Sequence, residues 1–380
     1  MSESSTKQKK VPELRFSQFS DSWQEKRIAQ ILTVCSGRDY KHLKAGNVPV
    51  FGTGGVMTYV DEALHDGESV FIGRKGTIDK PVYFSGRFWT VDTLFYTSDF
   101  KEVTPKFVYR LFQNIYWKKY NEASGVPSLS RSTIGKIKVF LPSVGEQKKI
   151  QVFLNNADSL IEKMKYQREK LEEFKQGVML KIFTQEVRFK DKNGKNFPDW
   201  QTVRLGKIIE ERTERAGNKN YDLLSITMKN GVTKYDDSVK KNNSSGNKSN
   251  YKVVRKNDIA YNTMRMWQGA SGVSAFEGIV SPAYTVVAPK TGDPNFFGYL
   301  FKIPRVVFDF YRYSQGLTSD TWNLKFKHLK EIKVTVPTSK DEQLEISNFL
   351  KSVDELIEFK SKQIEKAETW KRGLLQKMFV

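Results

Sequence analysis

A chain of 380 residues with one cysteine, three histidines and no long apolar run has several kinds of chemistry closed to it. Cys35 alone cannot form an intrachain disulfide, and with His42, His65 and His328 it makes no cluster at zinc-ligand spacing. No stretch approaches the roughly 18 apolar residues of a membrane span. The opening MSESSTKQKK lacks the apolar centre of a secretory signal, so a soluble, cytoplasmic protein is expected. A GxxxxGK[ST] phosphate loop is missing too, which argues against ATP-driven movement by this chain. Asp293-Pro294-Asn295-Phe296 has one proline where an amino-methyltransferase motif needs two, and it reads as a helix start with proline in the first turn. Pro198-Asp199 has neither the second acid nor the lysine of a Pro-Asp nuclease and reads as a turn. Cys35, with no histidine partner beyond His42, reads as a buried thiol. No catalytic constellation and no metal site is expected.

What is abundant is positive charge. There are 63 Lys and Arg against 43 Asp and Glu, a formal charge of +20, with 38% hydrophobic and 13% aromatic residues to build the cores of two or three domains. That balance favours a polyanionic partner, and nucleic acid is the commonest one. A solvated basic surface, or a place on the ribosome, is the other reading of charge taken without its position.

Position comes from an internal repeat. Residues 146–183 align without a gap to 342–379 at an offset of 196, with 17 of 38 positions identical, among them Glu146/Glu342, Gln147/Gln343, Phe153/Phe349, Asp158/Asp354, Gly177/Gly373 and Phe183/Phe379. Fainter echoes precede each copy: FSDSWQEKRI returns as FPDWQTVRL, and KIKVFLPS as EIKVTVPT. The order is therefore module, helix, module, helix. The boundaries are a basic tail (1–19), a first module (20–142), a central helix (143–185), a second module (186–337) and a C-terminal helix (338–380).

Apolar residues in the repeats fall on a and d of a heptad: Ile150, Phe153, Ala157, Leu160, Met164, Leu171 and Phe174 in one, Ile346, Phe349, Val353, Leu356, Ala367 and Trp370 in the other. These are the expected helix-pair packing residues. Leu154, Ile161, Leu350, Ile357 and Ile364 at e widen the stripe beyond what a two-stranded seam needs, so each helix is expected to meet something besides its twin, a partner protein being one candidate. Ser143 to Glu146 and Ser339 to Glu342 have capping-box spacing. Gln167 and Gln363 interrupt matching d positions; register control and a tolerated solvent edge both fit them.

The modules read as α+β. Strand-like runs such as VPVFGTGG, ESVFIGRKGT, KPVYF, TVDTLFYT, DIAYNTM and PAYTVVAP alternate with turns, helical patches cover 104–120 and 294–303, and 238–250 reads as a surface loop. The two repeated helices carry only +2 of the charge, leaving +18 outside them. Two matched pairs of loops stand out as candidate DNA contacts. After a strand come Arg74, Lys75 and Thr77 in the first module, and Asn262, Thr263, Arg265, Trp267 and Gln268 in the second. Just upstream of each long helix come Ser128, Ser130 and Arg131, then Ser319, Thr321, Trp322 and Asn323. Arginine can fork onto a guanine edge and Gln or Asn onto adenine, while Lys, Ser and Thr hold phosphate. For each residue a solvated surface role is the competing reading.

Duplicated heptad helices alternating with two dissimilar basic α+β modules, and no active site, resemble the specificity subunit of type I restriction-modification enzymes. The residues that carry the likeness are LPSVGEQKKI and VPTSKDEQLEI at the helix starts, IGRKGT with FWTVDTLFY, and DIAYNTMRMWQGASG with GIVSPAYTVV. The resemblance implies two target recognition domains, each reading half of an asymmetric bipartite site on double-stranded DNA, and helices pairing antiparallel as a spacer. It also implies a bacterial, DNA-associated chain that binds no cofactor itself. Two modification (methyltransferase) subunits would bring S-adenosylmethionine and methylate adenine, and restriction (translocase/nuclease) subunits would bring ATP and Mg. A helix of 38 residues is about 57 Å long, enough to hold two readers about one DNA turn, roughly 34–36 Å, apart. A coiled-coil scaffold with protein- or RNA-binding modules is the alternative, and it shares every helical feature.

Overall fold

A computed structural model describes residues 11–228, 231–235, 247–319 and 321–380. The surface loop expected over 238–250 therefore lies outside the described residues except for its last four. The chain forms two compact units, Met1–Tyr166 with Lys360–Val380, and Gln167–Phe359. Each holds one module and a part of both long helices.

In the first unit β1 (Gln24–Arg27) and α1 (Ile28–Ile31) lead into a six-stranded sheet. Its strands are β2 (Thr33–Ser36), β3 (Ala45–Gly52), β4 (Gly55–Val60), β5 (His65–Gly73), β6 (Val82–Thr90) and β7 (Leu94–Ser98), ordered β2-β7-β5-β6-β3-β4. Every neighbouring pair is antiparallel except β3 with β6. The run Val70-Phe71-Ile72 is apolar without alternation because β5 is central and covered on both faces. Val70 and Ile72 join the main core with Trp23, Phe107 and Leu111, whereas Phe71 joins Phe51 and Phe88 on the opposite side. Helix α2 (Pro105–Asn114) starts where Thr104 Oγ1 accepts from Phe107 N and proline occupies the first turn. The helical patch expected over 104–120 breaks there. Its remainder is a 3₁₀ turn, Trp117–Tyr120, whose Trp117 indole donates back to Phe112 O at 2.8 Å. Helix α3 (Arg131–Lys136) and β8 (Lys138–Leu141) complete the module, and β8 returns to pair with β1.

The second unit follows the same plan with different content. It contains β9 (Gln201–Arg204), α5 (Leu205–Ile208), β10 (Ile209–Glu211), β11 (Leu224–Thr227), β12 (Gly231–Lys234), β13 (Lys252–Val254), β14 (Ile259–Asn262), β15 (Ser271–Val273), β16 (Gly278–Val280) and β17 (Tyr284–Pro289). Four of these form the sheet β10-β17-β14-β15, flanked by the ribbons β11-β12 and β13-β16. Helix α6 (Pro294–Leu300) begins as α2 does, with Asp293 Oδ1 accepting from Phe296 N at 2.8 Å, so the Asp-Pro-Asn-Phe run is a helix cap. Helices α7 (Pro304–Tyr313) and α8 (Phe326–Leu329) and strand β18 (Lys333–Val336) follow, and β18 pairs with β9 as β8 does with β1. The sequence echoes on either side of each module are thus the two halves of one ribbon.

The long helices are α4 (Val144–Phe183) and α9 (Lys340–Met378). In the first unit Lys371 pairs with Asp158 and Lys165 with Glu368. In the second, Lys175 pairs with Asp354 at 2.6 Å, the same residue pair displaced by 196. One helix descends in number as the other climbs, so they run antiparallel.

Their seam departs from the heptad expectation. Ile150, Leu154, Ala157 and Ile161 are buried, as are Ile346, Leu350, Val353 and Ile364, whereas Leu160, Phe174, Leu356 and Trp370 are 44–52% exposed. Phe153, Met164, Leu171, Phe349 and Ala367 lie half-buried. The fully buried stripe is a and e, not a and d, which corrects the assignment of Leu160, Phe174 and Leu356, whereas Trp370 still meets Phe153 edge to face across the pair, 6.2 Å between rings. At 3.6 residues per turn, i, i+4, i+7 and i+11 share a face, and each helix turns that face toward its module as well as its twin.

The capping boxes are also half realised. Ser143 and Ser339 accept from Glu146 N and Glu342 N at 3.4 Å, but the carboxylates do not reach back. Instead buried Glu146 takes Arg15 in a two-pronged pair at 2.7 Å, and buried Glu342 takes Arg188 at 3.0–3.2 Å. Phe16 and Phe189 follow those arginines and edge against Phe153 and Phe349. Within the segment read as a basic tail, Leu14–Phe16 is therefore fastened, Leu14 N donating to Lys377 O at 2.8 Å. Beside each glutamate, Gln147 and Gln343 accept from the N-cap amides of α2 and α6 (Thr104 N and Asp293 N, both 3.0 Å) and donate to Pro142 O and Pro337 O. The repeated Glu-Gln doublet is the bracket that joins a module to the helix following it.

Candidate nucleic-acid interface

In the first module β5 ends at Gly73, and its successor loop bends sharply enough that a Cβ at 73 would stand 2.1 Å from Thr77 O. Gly76 is left-handed at φ 86, a conformation glycine adopts without a Cβ clash. Arg74 N donates to Thr93 O, Gly76 N to Pro127 O and Leu129 N to Arg74 O, all at 2.8–2.9 Å, and Lys75 bridges Ser128. The two loops singled out in this module are thus zipped side by side, with Leu129 buried as their anchor. Lys75 and Arg131 are exposed; Arg74, half-buried, donates to Asp92 O at 3.3 Å; Thr77 and Ser128 are half-buried.

The second module does the same with other residues. Asn262 N donates to Ala270 O at 3.0 Å, the turn Met266–Gln268 follows, and Gly269 closes it at φ 79. Leu324 N donates to Thr263 O at 2.9 Å, and Gln315 and Asn323 exchange backbone bonds, so this loop pair is joined as well. Trp267 meets Trp322 edge to face, 5.1 Å between rings, and Trp322 meets Tyr311 of α7 at 4.9 Å. Arg265, Gln268, Ser319 and Thr321 are exposed. Among the described residues the Arg265 side chain has no hydrogen-bond or ion-pair partner, which leaves its fork free.

Several candidates commit polar groups to building the loops. Thr263 is buried and its hydroxyl donates to Ala283 O at 2.8 Å, which corrects its place as a phosphate contact. Ser130 caps α3, accepting from Thr133 N and donating to Glu122, so its hydroxyl is committed too. The hydroxyls of Thr133 and Ser130 hold the Glu122 carboxyl below its usual range. Asn262 Oδ1 accepts from Met264 N at 3.0 Å and shapes the turn, the Trp267 indole donates to Met264 O, and Thr321 Oγ1 closes a turn onto Thr318 O. Half-buried Cys35 lies 3.4 Å from Ser98 Oγ.

Sequence reading missed residues that shape these loops. Asn121 Oδ1 accepts from Ser128 N at 2.8 Å in the first module, and Lys302 reaches behind the loop in the second. Aligning Thr104-Pro105 with Asp293-Pro294 would have placed Lys302 opposite Gln113 and drawn attention to it. The doublets Arg15-Phe16 and Arg188-Phe189 likewise extend the echo upstream of where it was first seen.

Two basic modules, each carrying paired loops and each joined by a Glu-Gln bracket to the long helix that follows, define a protein built by internal duplication. The family model for the type I restriction modification DNA specificity domain matches residues 20–173 and again 198–369, and the chain belongs to that family. It is 26% identical over 277 residues to the putative type I restriction enzyme MjaX specificity subunit of Methanocaldococcus jannaschii, covering 69% of this chain and 63% of that one. It is 25% identical over 158 residues to the type I restriction enzyme EcoprrI specificity subunit of Escherichia coli, covering 39% of each. These matches span less than two thirds of either relative's length. The fold is similar to that of the type I restriction-modification S subunit from M. genitalium, with a TM-score of 0.61, 15% identity and 97% and 99% of the two chains covered. A second type I R-M structure gives 0.55 at 13% identity over 94% and 97%. Among the described residues no helix is long and apolar enough to cross a membrane.

Proposed function

We propose that this chain is the DNA-specificity subunit of a type I restriction-modification complex, each module reading one half of an asymmetric bipartite site. The observation that carries the reading is that both modules zip their two candidate loops together by backbone bonds, yet with unlike side chains: Arg74, Lys75 and Arg131 in one, Arg265, Trp267 and Gln268 in the other. Unlike readers on matching scaffolds call for two different words. Leu160 and Leu356, exposed at the same position of the two repeats and lying one in each unit, support docking of two identical modification subunits. Those subunits would supply S-adenosylmethionine chemistry on adenine, and restriction subunits ATP, Mg and cleavage. This chain supplies recognition without catalysis, in the bacterial cytoplasm.

Mapping N6-methyladenine across a genome carrying the chain and its modification partner tests this. Two short words separated by a fixed gap are expected; a single continuous tract overturns the reading.

A further inference from the structure

One half-buried ammonium lies directly behind the second module's reading loop. Lys302, between α6 and α7, donates from Nζ to Gly269 O at 2.6 Å and to Ser271 O at 2.7 Å. Those two carbonyls bracket the point where the Asn262–Gly269 loop turns back into β15, and Gly269 is its left-handed residue. A Cβ there would lie 3.5 Å from Val307 Cγ2, so α7 supports the loop beside the lysine. The same side chain lines a cleft of about 1400 Å³ with Lys175, Tyr299 and Asp354. Burial, with a smaller push from Lys175, drives the lysine down to about 8. An ammonium held half out of water costs more than an apolar side chain in the same place would, so the two carbonyl contacts are what it is there for.

The first module has no counterpart. Counted from the two Pro-initiated helices, the equivalent residue is Gln113, which accepts from Arg110 Nη1 at 3.1 Å. Its loop pair is held by Asn121 and by Glu122 N, which donates to Ser128 O. A change at 302 thus touches one module's loop and leaves the other's fastenings intact.

We propose that Lys302 is a positioning residue for recognition: its ammonium sets how far the Asn262–Gly269 loop stands out from the second module, and so which bases that module accepts. This rests on the reading of that loop as a DNA reader. The test uses the full chain assembled with its modification subunits, methylating a DNA library randomised in both half-sites, with the methylated sequences read out. Lys302→Met is expected to lower discrimination in the second half-site about tenfold, the value of one lost charge-assisted contact of about 1.4 kcal/mol, with the first half-site and the gap unchanged. Lys302→Arg, which keeps two donors, is expected to restore most of it. Unchanged discrimination in both halves, or equal relaxation of both, overturns the proposal. Should methionine prevent assembly, Lys302→Gln is read on the same library with the same expected direction. Arg265→Ala on that library separates the two ideas. If it leaves the second half-site untouched, the loop is no reader; if it relaxes that half while the Lys302 variants do not, only the role of Lys302 fails.

Discussion

Asp158 and Asp354 occupy one position in the two copies of the long helix, and each receives a side chain from the proline-initiated helix, α2 or α6, of its own module. In the first unit that side chain is Arg110, whose Nη2 meets Asp158 at 2.5 Å; in the second it is Tyr299, whose hydroxyl donates to Asp354 at 2.8 Å. The helix keeps its carboxylate while the module changes what it offers. Lys371 and Lys175, also repeat-related, approach the same two carboxylates from the opposite helix. Burial and then Asp354 push the Tyr299 phenol up, so it stays a donor at any physiological pH.

The two carboxylates are therefore worth different amounts. Asp158→Ala leaves the buried Arg110 with only the amides of Asn155 and Gln113, and is expected to cost about 3–5 kcal/mol, as for one broken half of a buried ion pair. Asp354→Ala removes a phenol hydrogen bond and a partly exposed lysine pair, for about 1–2 kcal/mol. Denaturant unfolding of the two variants measures the difference, and equal losses would contradict it.

Glu146 and Glu342 make a second comparison. Arg15→Ala or Arg188→Ala strands a buried carboxylate at the start of a long helix, so each is expected to destabilise by about 3–5 kcal/mol. Hydrogen exchange localises the effect: Arg15→Ala is expected to loosen the helix start near Ser143, and Arg188→Ala the one near Ser339. Loss of protection at the opposite start in either variant would argue against the bracket.

The duplication, the helix limits within two or three residues and the ribbon strands KVFL and KVTV were legible because each is a local pattern repeated at one offset. The seam was not. Heptad counting cannot tell a/d from a/e when apolar residues fill a, d and e, and only the modules packed against the helices decide which face is covered. Helix α7 escaped because PRVVFDFYRY is β-branched and aromatic; its proline start and the burial of Val306 and Phe310 outweigh weak propensity. In the candidate interface the turns themselves were legible, since glycine marks them. Which hydroxyls turn inward was not, because Thr263 and Ser130 are committed by Ala283 O and Glu122, partners 20 and 8 residues away.

Exposure separates the candidate readers from the side chains that anchor the loops. Arg265, exposed and unpaired among the described residues, is expected on replacement by alanine to relax one half-site by about 1–3 kcal/mol, with the other half unaffected. Lys75→Ala is expected to weaken target and random DNA alike and to flatten the dependence of log K on log salt by about 1, the mark of a phosphate contact. Binding titrations of the assembled complex at several salt concentrations check both, and equal losses on target and random DNA for Arg265→Ala would remove it from the readers.

Lys302 also gives the fold a pH dependence of unusual sign. Its ordinary value is 10.5 and burial lowers it to about 8. Below pH 8 the lysine is protonated in the folded and unfolded chain alike, and the cost of the half-desolvated charge is fully present. Between pH 8 and 10.5 the unfolded chain holds a proton that the folded chain has released, so this group makes stability rise with pH across that window. Lys302→Met has no proton to release. The difference in melting temperature between parent and Lys302→Met is therefore expected to shift in the parent's favour from pH 7.5 to 10; a difference that stays flat would mean that the ammonium is not desolvated behind the loop.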